Sequence, residues 1–151
     1  MSLKESIATE VKAAMRAKDS ARLGTLRFLQ AAIKQKEVDE RRDLPDAEVM
    51  SIIEKQIKQR RESIAAYEQA GRTETAEQEK AEVIVLQEFL PRAADPSEIE
   101  AAIITAIEQA QAAGIQGPAV MGKVMASLKQ ALAGRADMAA VSQQVKAKLS
   151  H

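Results

Sequence analysis

The apolar positions of this chain recur with a helical period, and nowhere do they alternate as a half-buried strand would. Leu3, Ile7, Val11 and Met15 step by four and predict a first amphipathic helix. Asp19 or Ser20 can cap a second, whose stripe is Leu23, Leu26, Leu29 and Ile33. Leu44-Pro45-Asp46 punctuates the chain, and Asp46 is expected to cap a long third helix through Val49, Ile53, Ile57, Ile64 and Tyr67. Gly71 is its natural stop, because glycine enters the left-handed region without steric penalty. A fourth helix runs from about Thr73 through Val83, Leu86 and Leu90 until Pro91 ends it.

Arg92-Ala93-Ala94 reads as a linker. Asp95-Pro96-Ser97-Glu98 then places an acceptor at the cap, proline in the first turn and Glu three residues on. That fifth helix carries Ile99, Ile103, Ile104 and Ile107 and stops near Gly114. Pro118 opens a sixth, with Val120, Val124, Leu128 and Leu132 inward and Gly134 as its stop. Asp137 caps a seventh through Val141, Val145 and Leu149. Met15, Met121 and Met125 are read as core fillers. The pattern predicts an all-α protein: a four-helix N-terminal unit over residues 1–92 and a smaller three-helix C-terminal unit over residues 93–151.

Composition narrows the chemistry. There is no Cys, which excludes disulfides, thiolate metal sites and Cys nucleophiles. The one His is His151, the last residue, so no His-based triad or imidazole metal site is expected. Glu79 and Glu82 lie one turn apart on the fourth helix, but di-metal bundles need a Glu-x-x-His pair, and they read as surface carboxylates. No catalytic group, metal or cofactor is expected. With 22 Lys+Arg against 22 Asp+Glu, no global field draws the chain to nucleic acid or to a membrane, and neither DNA nor a membrane is an expected partner. No apolar run approaches the roughly 20 residues of a membrane span, and no signal-peptide pattern opens the chain. A cytoplasmic protein is the expectation.

Locally the charge is uneven. Residues 1–36 hold eight basic and three acidic side chains, whereas residues 37–54 hold two basic and seven acidic ones. The densest basic run is Lys55, Lys58, Arg60 and Arg61; Lys58 and Arg61 share a helix face, and Arg60 lies nearly opposite Lys58. Interleaved with Glu54 and Glu62, this run is read first as intrahelical ion pairs and second as an RNA-phosphate stripe. Gly117 and Gly122-Lys123 imitate a phosphate-binding loop, but Val124 replaces the required hydroxyl and a helix precedes it instead of a strand. Gly122 remains notable, since glycine inside a helix is about 0.5–1 kcal/mol less stable than alanine. Two readings stand: close packing against a neighbouring helix, or approach of a ligand backbone with Lys123 and Arg135 as phosphate partners.

These residues resemble the YqeY-like proteins, which are similar to the C-terminal helical tail of the GatB subunit of tRNA-dependent Asp/Glu-tRNA amidotransferase. The resemblance is carried by Lys18-Asp19, Arg22, Leu26-Arg27, Lys55-Gln56-Ile57-Lys58-Gln59-Arg60, Glu62-Ser63, Tyr67, Ala70-Gly71-Arg72, Glu79, Glu82 and Leu90-Pro91. Most specific are Met121-Gly122-Lys123-Val124-Met125 and Gly134-Arg135-Ala136-Asp137. The resemblance implies a two-part helical fold whose tail-like part contacts tRNA without performing chemistry. The expected function is therefore a non-catalytic tRNA-binding module. The expected contacts are Gly122, Lys123, Gly134 and Arg135, with Lys55, Lys58 and Arg61 as a further face. The alternatives are a protein-interaction module docking on an amidotransferase or aminoacyl-tRNA synthetase, and a carbon–nitrogen ligase component using glutamine as amido-N-donor.

Overall fold

The computed structural model describes residues 1–150 and contains only helices and their connections among them. The helices are α1 (Leu3–Arg16), α2 (Ser20–Glu40), α3 (Asp46–Gln69), α4 (Thr73–Gln87), α5 (Pro96–Ala112), α6 (Ala119–Ala131) and α7 (Met138–Leu149). The chain separates into two compact units, Met1–Leu90 and Pro91–His151, the first with four helices and the second with three.

The first unit closes over an aliphatic core. Ile7, Val11 and Ala14 come from α1, Leu26, Leu29 and Ile33 from α2, Val49, Ile53 and Ile57 from α3, and Val83 and Leu86 from α4. Full burial of each Leu or Ile contributes roughly 1.5–3 kcal/mol, so these faces decide which way each helix points. Met15 is not among them; it is 51% exposed. Steps of four residues drift by about 40° each around a helix, and the 7, 11, 14 spacing returns to the core where 7, 11, 15 leaves it.

The helix ends differ from expectation at the start of α3 and at the ends of α4 and α6, which stop at Gln87 and Ala131 ahead of Leu90 and Gly134. Asp19 caps α2 by accepting from the Arg22 N–H, as the pattern predicts. Asp46, however, is the first residue of α3, with Pro45 at the cap and no side-chain cap bond there. Its Oδ1 instead accepts the Leu3 N–H at 3.0 Å, satisfying an orphan donor at the start of α1. Ser2 and Glu5 complete that terminus as a reciprocal capping box. Gly71 sits at φ +74° just beyond the Ala70 cap of α3, and α4 ends at Gln87, ahead of Pro91.

Glu37 ties three segments of this unit together. It accepts from Lys4 Nζ of α1 and from the Leu44 N–H in the loop before α3. The Lys4 bond, then the Leu44 bond, hold its carboxyl below the ordinary range. A depressed carboxylate contributes stability above its unfolded pKa and loses it as pH falls through the folded value. The first unit should therefore lose stability as pH drops below the ordinary carboxylate range, and Glu37→Gln should unfold with a shallower acid dependence. Urea midpoints of the two proteins across pH 3–6 (roughly the carboxylate range) test this; parallel curves would refute it.

In the second unit Ile103, Ala106 and Ala110 of α5 meet Val124 and Leu128 of α6, Leu132, and Val141 and Val145 of α7. Met121 and Met125 pack against this cluster, as core fillers should. Asp95 caps α5 by accepting the Glu98 N–H, and Asp137 caps α7 by accepting the Ala139 N–H. The segment read as a linker is held in place: the Ala94 N–H donates to Arg135 O at 2.8 Å, and Arg135 Nε donates to Arg92 O at 2.9 Å.

Candidate nucleic-acid interface

The basic run of α3 divides into two populations. Core contacts through Val49, Ile53 and Ile57 fix the rotation of the helix, which turns Lys55, Lys58 and Arg61 to solvent. They occupy an outer arc of about 120° by helical geometry. Among the described residues none of the three takes part in an ion pair, so of the two carboxylates expected to pair with this run, Glu54 and Glu62, Glu62 is not engaged by it. Arg60 points the other way. Its side chain is only 14% exposed, its guanidinium lies 5.4 Å from the Phe28 ring centroid, and Nη1 meets Glu82 at 3.4 Å.

Around Arg60 lies a polar group, Gln56, Glu79 and Glu82, whose burial the pattern did not predict. Gln56 is 6% exposed, although it sits on the stripe between Ile53 and Ile57. Gln56 Oε1, Arg60 Nε and Glu79 Oε2 are all buried without a hydrogen-bond partner. Glu79 and Glu82 are thus not plain surface carboxylates: one pairs with Arg60, and the other has an oxygen turned into the protein. The available signal was that Gln56 and Arg60 stand four apart on the apolar face of α3, where a fully apolar stripe would put aliphatic residues.

The C-terminal residues behave differently from one another. Gly122 and Lys123 lie on the exposed side of α6, and Lys123 has no ion-pair partner among the described residues. A Cβ at Gly122 would meet nothing within 4 Å. The close-packing reading of this glycine is thereby removed. Gly134 and Arg135 sit in the turn between α6 and α7, with Gly134 at φ +70°. Arg135 is engaged within its own unit: besides Arg92 O, it holds Glu98 through Nη2. Its guanidinium fastens the start of the unit to the α6–α7 turn.

Two stability measurements separate these roles. Arg135→Ala should lower the stability of the C-terminal unit by about 1–2 kcal/mol, since each bond to a charged group contributes about that order. Gly122→Ala should raise it by about 0.5–1 kcal/mol, because the methyl group meets only open space. Denaturant unfolding reads both; a Gly122→Ala variant less stable than the parent would contradict the open surface.

Comparison with known proteins places the chain. It is 33% identical over 123 residues to Altered inheritance of mitochondria protein 41, mitochondrial, of Pyrenophora tritici-repentis, covering 80% of this chain and 67% of that one. The protein of the same name in Kluyveromyces lactis is 31% identical over 121 residues, covering 76% and 65%. That of Eremothecium gossypii is 37% identical over 82 residues, covering 54% and 45%. The matches thus span from under half to two thirds of these relatives' own lengths. The expectation of a cytoplasmic protein is overturned by these names, all of which are mitochondrial. It rested on the lack of a signal-peptide pattern and of a long apolar run, and neither distinguishes one aqueous compartment from another. The YqeY-like protein model matches residues 4–149, and the chain belongs to that family.

Proposed function

We propose that this protein is a non-catalytic helical module that binds tRNA through phosphate and shape, with α3 as its principal contact. The observation that carries this reading is the outer arc of α3, where Lys55, Lys58 and Arg61 are exposed and form no ion pair among the described residues. Other surface cations are matched, Arg22 by Glu10 and Glu88, Arg42 by Glu40 and Glu48, Lys80 by Glu68 and Glu77, and what sets the α3 arc apart is that its three cations share one helix face. Three free cations on one face suit an anionic polymer, whose phosphates lie closely spaced along its surface. Structured RNA can be bound through its backbone and 2′-hydroxyls, which requires no aromatic platform.

Gly122 and Lys123 of α6 form a second contact of the same kind, in which bare helix backbone lets a sugar–phosphate chain approach beside an ammonium group. The similarity to the tail of the amidotransferase B subunit supports tRNA as the class of RNA, and the names of the relatives point to mitochondria as the setting. Arg135 is left to its structural task.

Lys55→Glu, Lys58→Glu and Arg61→Glu together should weaken binding of total tRNA and reduce the slope of log affinity against log salt. Each lost phosphate contact contributes about 0.7–0.9 to that slope, so the expected fall is about two to three units. The circular dichroism spectrum should not change. A parent protein with no salt-dependent tRNA binding at micromolar concentration would dispose of the reading.

A further inference from the structure

α2 presents an outer face that the fold does not use. Leu26, Leu29 and Ile33 turn inward, and Gly24, Arg27, Phe28, Ala31, Lys34 and Gln35 lie exposed within an arc of about 120° opposite them. Three features of this face are unexplained by packing. Phe28 is 61% exposed, a large ring left in water. Gly24, one turn before it, would carry a Cβ into open space, so no neighbouring helix requires a glycine inside α2. Arg27 and Lys34 make no ion pair among the described residues.

The charge on this helix has one sign for most of its length. From Ser20 to Lys36 there are Arg22, Arg27, Lys34 and Lys36 and not one carboxylate. Arg60, paired with Glu82 of α4, lies with its guanidinium 5.4 Å from the Phe28 centroid. The ring is therefore backed by a cation held in place from α3, while most of its surface stays open. A flat π surface supported by a guanidinium, flanked by two free cations and a strip of bare backbone, matches an unpaired nucleobase with its phosphates. Base–aromatic stacking tolerates any base, and a neighbouring arginine adds to it.

We infer that the outer face of α2 holds an unpaired base of the bound RNA, stacked on Phe28, with the adjoining phosphates on Arg27 and Lys34 and the sugar passing over Gly24. This rests on the RNA-binding reading and goes beyond it, because it adds a stacking contact that a purely electrostatic surface lacks. The target feature is a loop or bulge and not a continuous duplex, since only an unstacked base can reach a protein ring.

The test is a titration of the 151-residue chain with total tRNA over a salt series. Phe28→Leu should lower affinity roughly five- to 150-fold, the range spanned by loss of one stacking contact, with the salt slope unchanged. Phe28→Trp should bind at least as tightly as the parent. Arg27→Glu with Lys34→Glu should instead reduce the slope by roughly one to two units. Gly24→Leu should weaken binding while raising the thermal midpoint, so that loss of fold cannot account for the loss of affinity. If the parent binds and Phe28→Leu binds equally well, stacking is refuted while RNA binding stands. If Phe28→Leu and Phe28→Trp weaken binding alike, the ring serves shape and not stacking, and the inference falls. If the parent does not bind tRNA, both readings fail together.

Discussion

Two small aliphatic cores support this molecule, and no aromatic side chain is among their fully buried residues. Units of about 60–90 residues bury a modest fraction of their surface, so their helix termini matter more than they would in a larger domain. The ends are accordingly well attended. Asp19, Asp95 and Asp137 each cap the helix that follows, Ser2 and Glu5 close a capping box, and Asp46 reaches from α3 to an N–H of α1. Glu37 does similar work beside the Asp46 contact, where it joins Lys4 to the backbone of Leu44.

The cores take up one face of each helix, and the remaining outer faces are under little structural obligation. Lys55, Lys58 and Arg61, the Gly122-Lys123 pair and the Gly24–Phe28 face all lie there. Helical glycine weakens a helix, and both Gly24 and Gly122 occur where no neighbour asks for it. The polar group at Gln56, Arg60 and Glu79 is the converse case, in which polar atoms enter the interior between α3 and α4 and three of them stay unpartnered.

The helices were legible in the chain because the apolar period marked each of them, and at α2, α5 and α7 an aspartate cap agreed with it. Asp95-Pro96 at the start of α5 is the clearest instance, with three local signals naming one residue. Legibility failed where a side chain acts across distance in sequence. Asp46 looks like a cap for its own helix, and only the fold reveals that Leu3 claims it. Arg135 looks like a ligand for phosphate, and only the fold brings Arg92 and Glu98 to it. Gly122 could be judged only once its surroundings were known, since a packing glycine and an exposed one read alike in a string of letters. Among the site residues, the outward turn of Lys58 and Arg61 followed from period alone, whereas the exposure of Phe28 against Arg60 needed two helices placed side by side.

The grip of Arg135 on Arg92 and Ala94 bears on how this family could have been assembled. The three C-terminal helices do not begin, as a folding piece, at the first residue of α5; the few residues ahead of Asp95 are stitched to the α6–α7 turn by main chain and side chain together. A gene fragment cut cleanly at the helix would leave the Arg135 guanidinium and carbonyl without those partners. Any transplantation of this unit onto another protein would therefore have to carry that short lead along, as a tail travels with the root that anchors it.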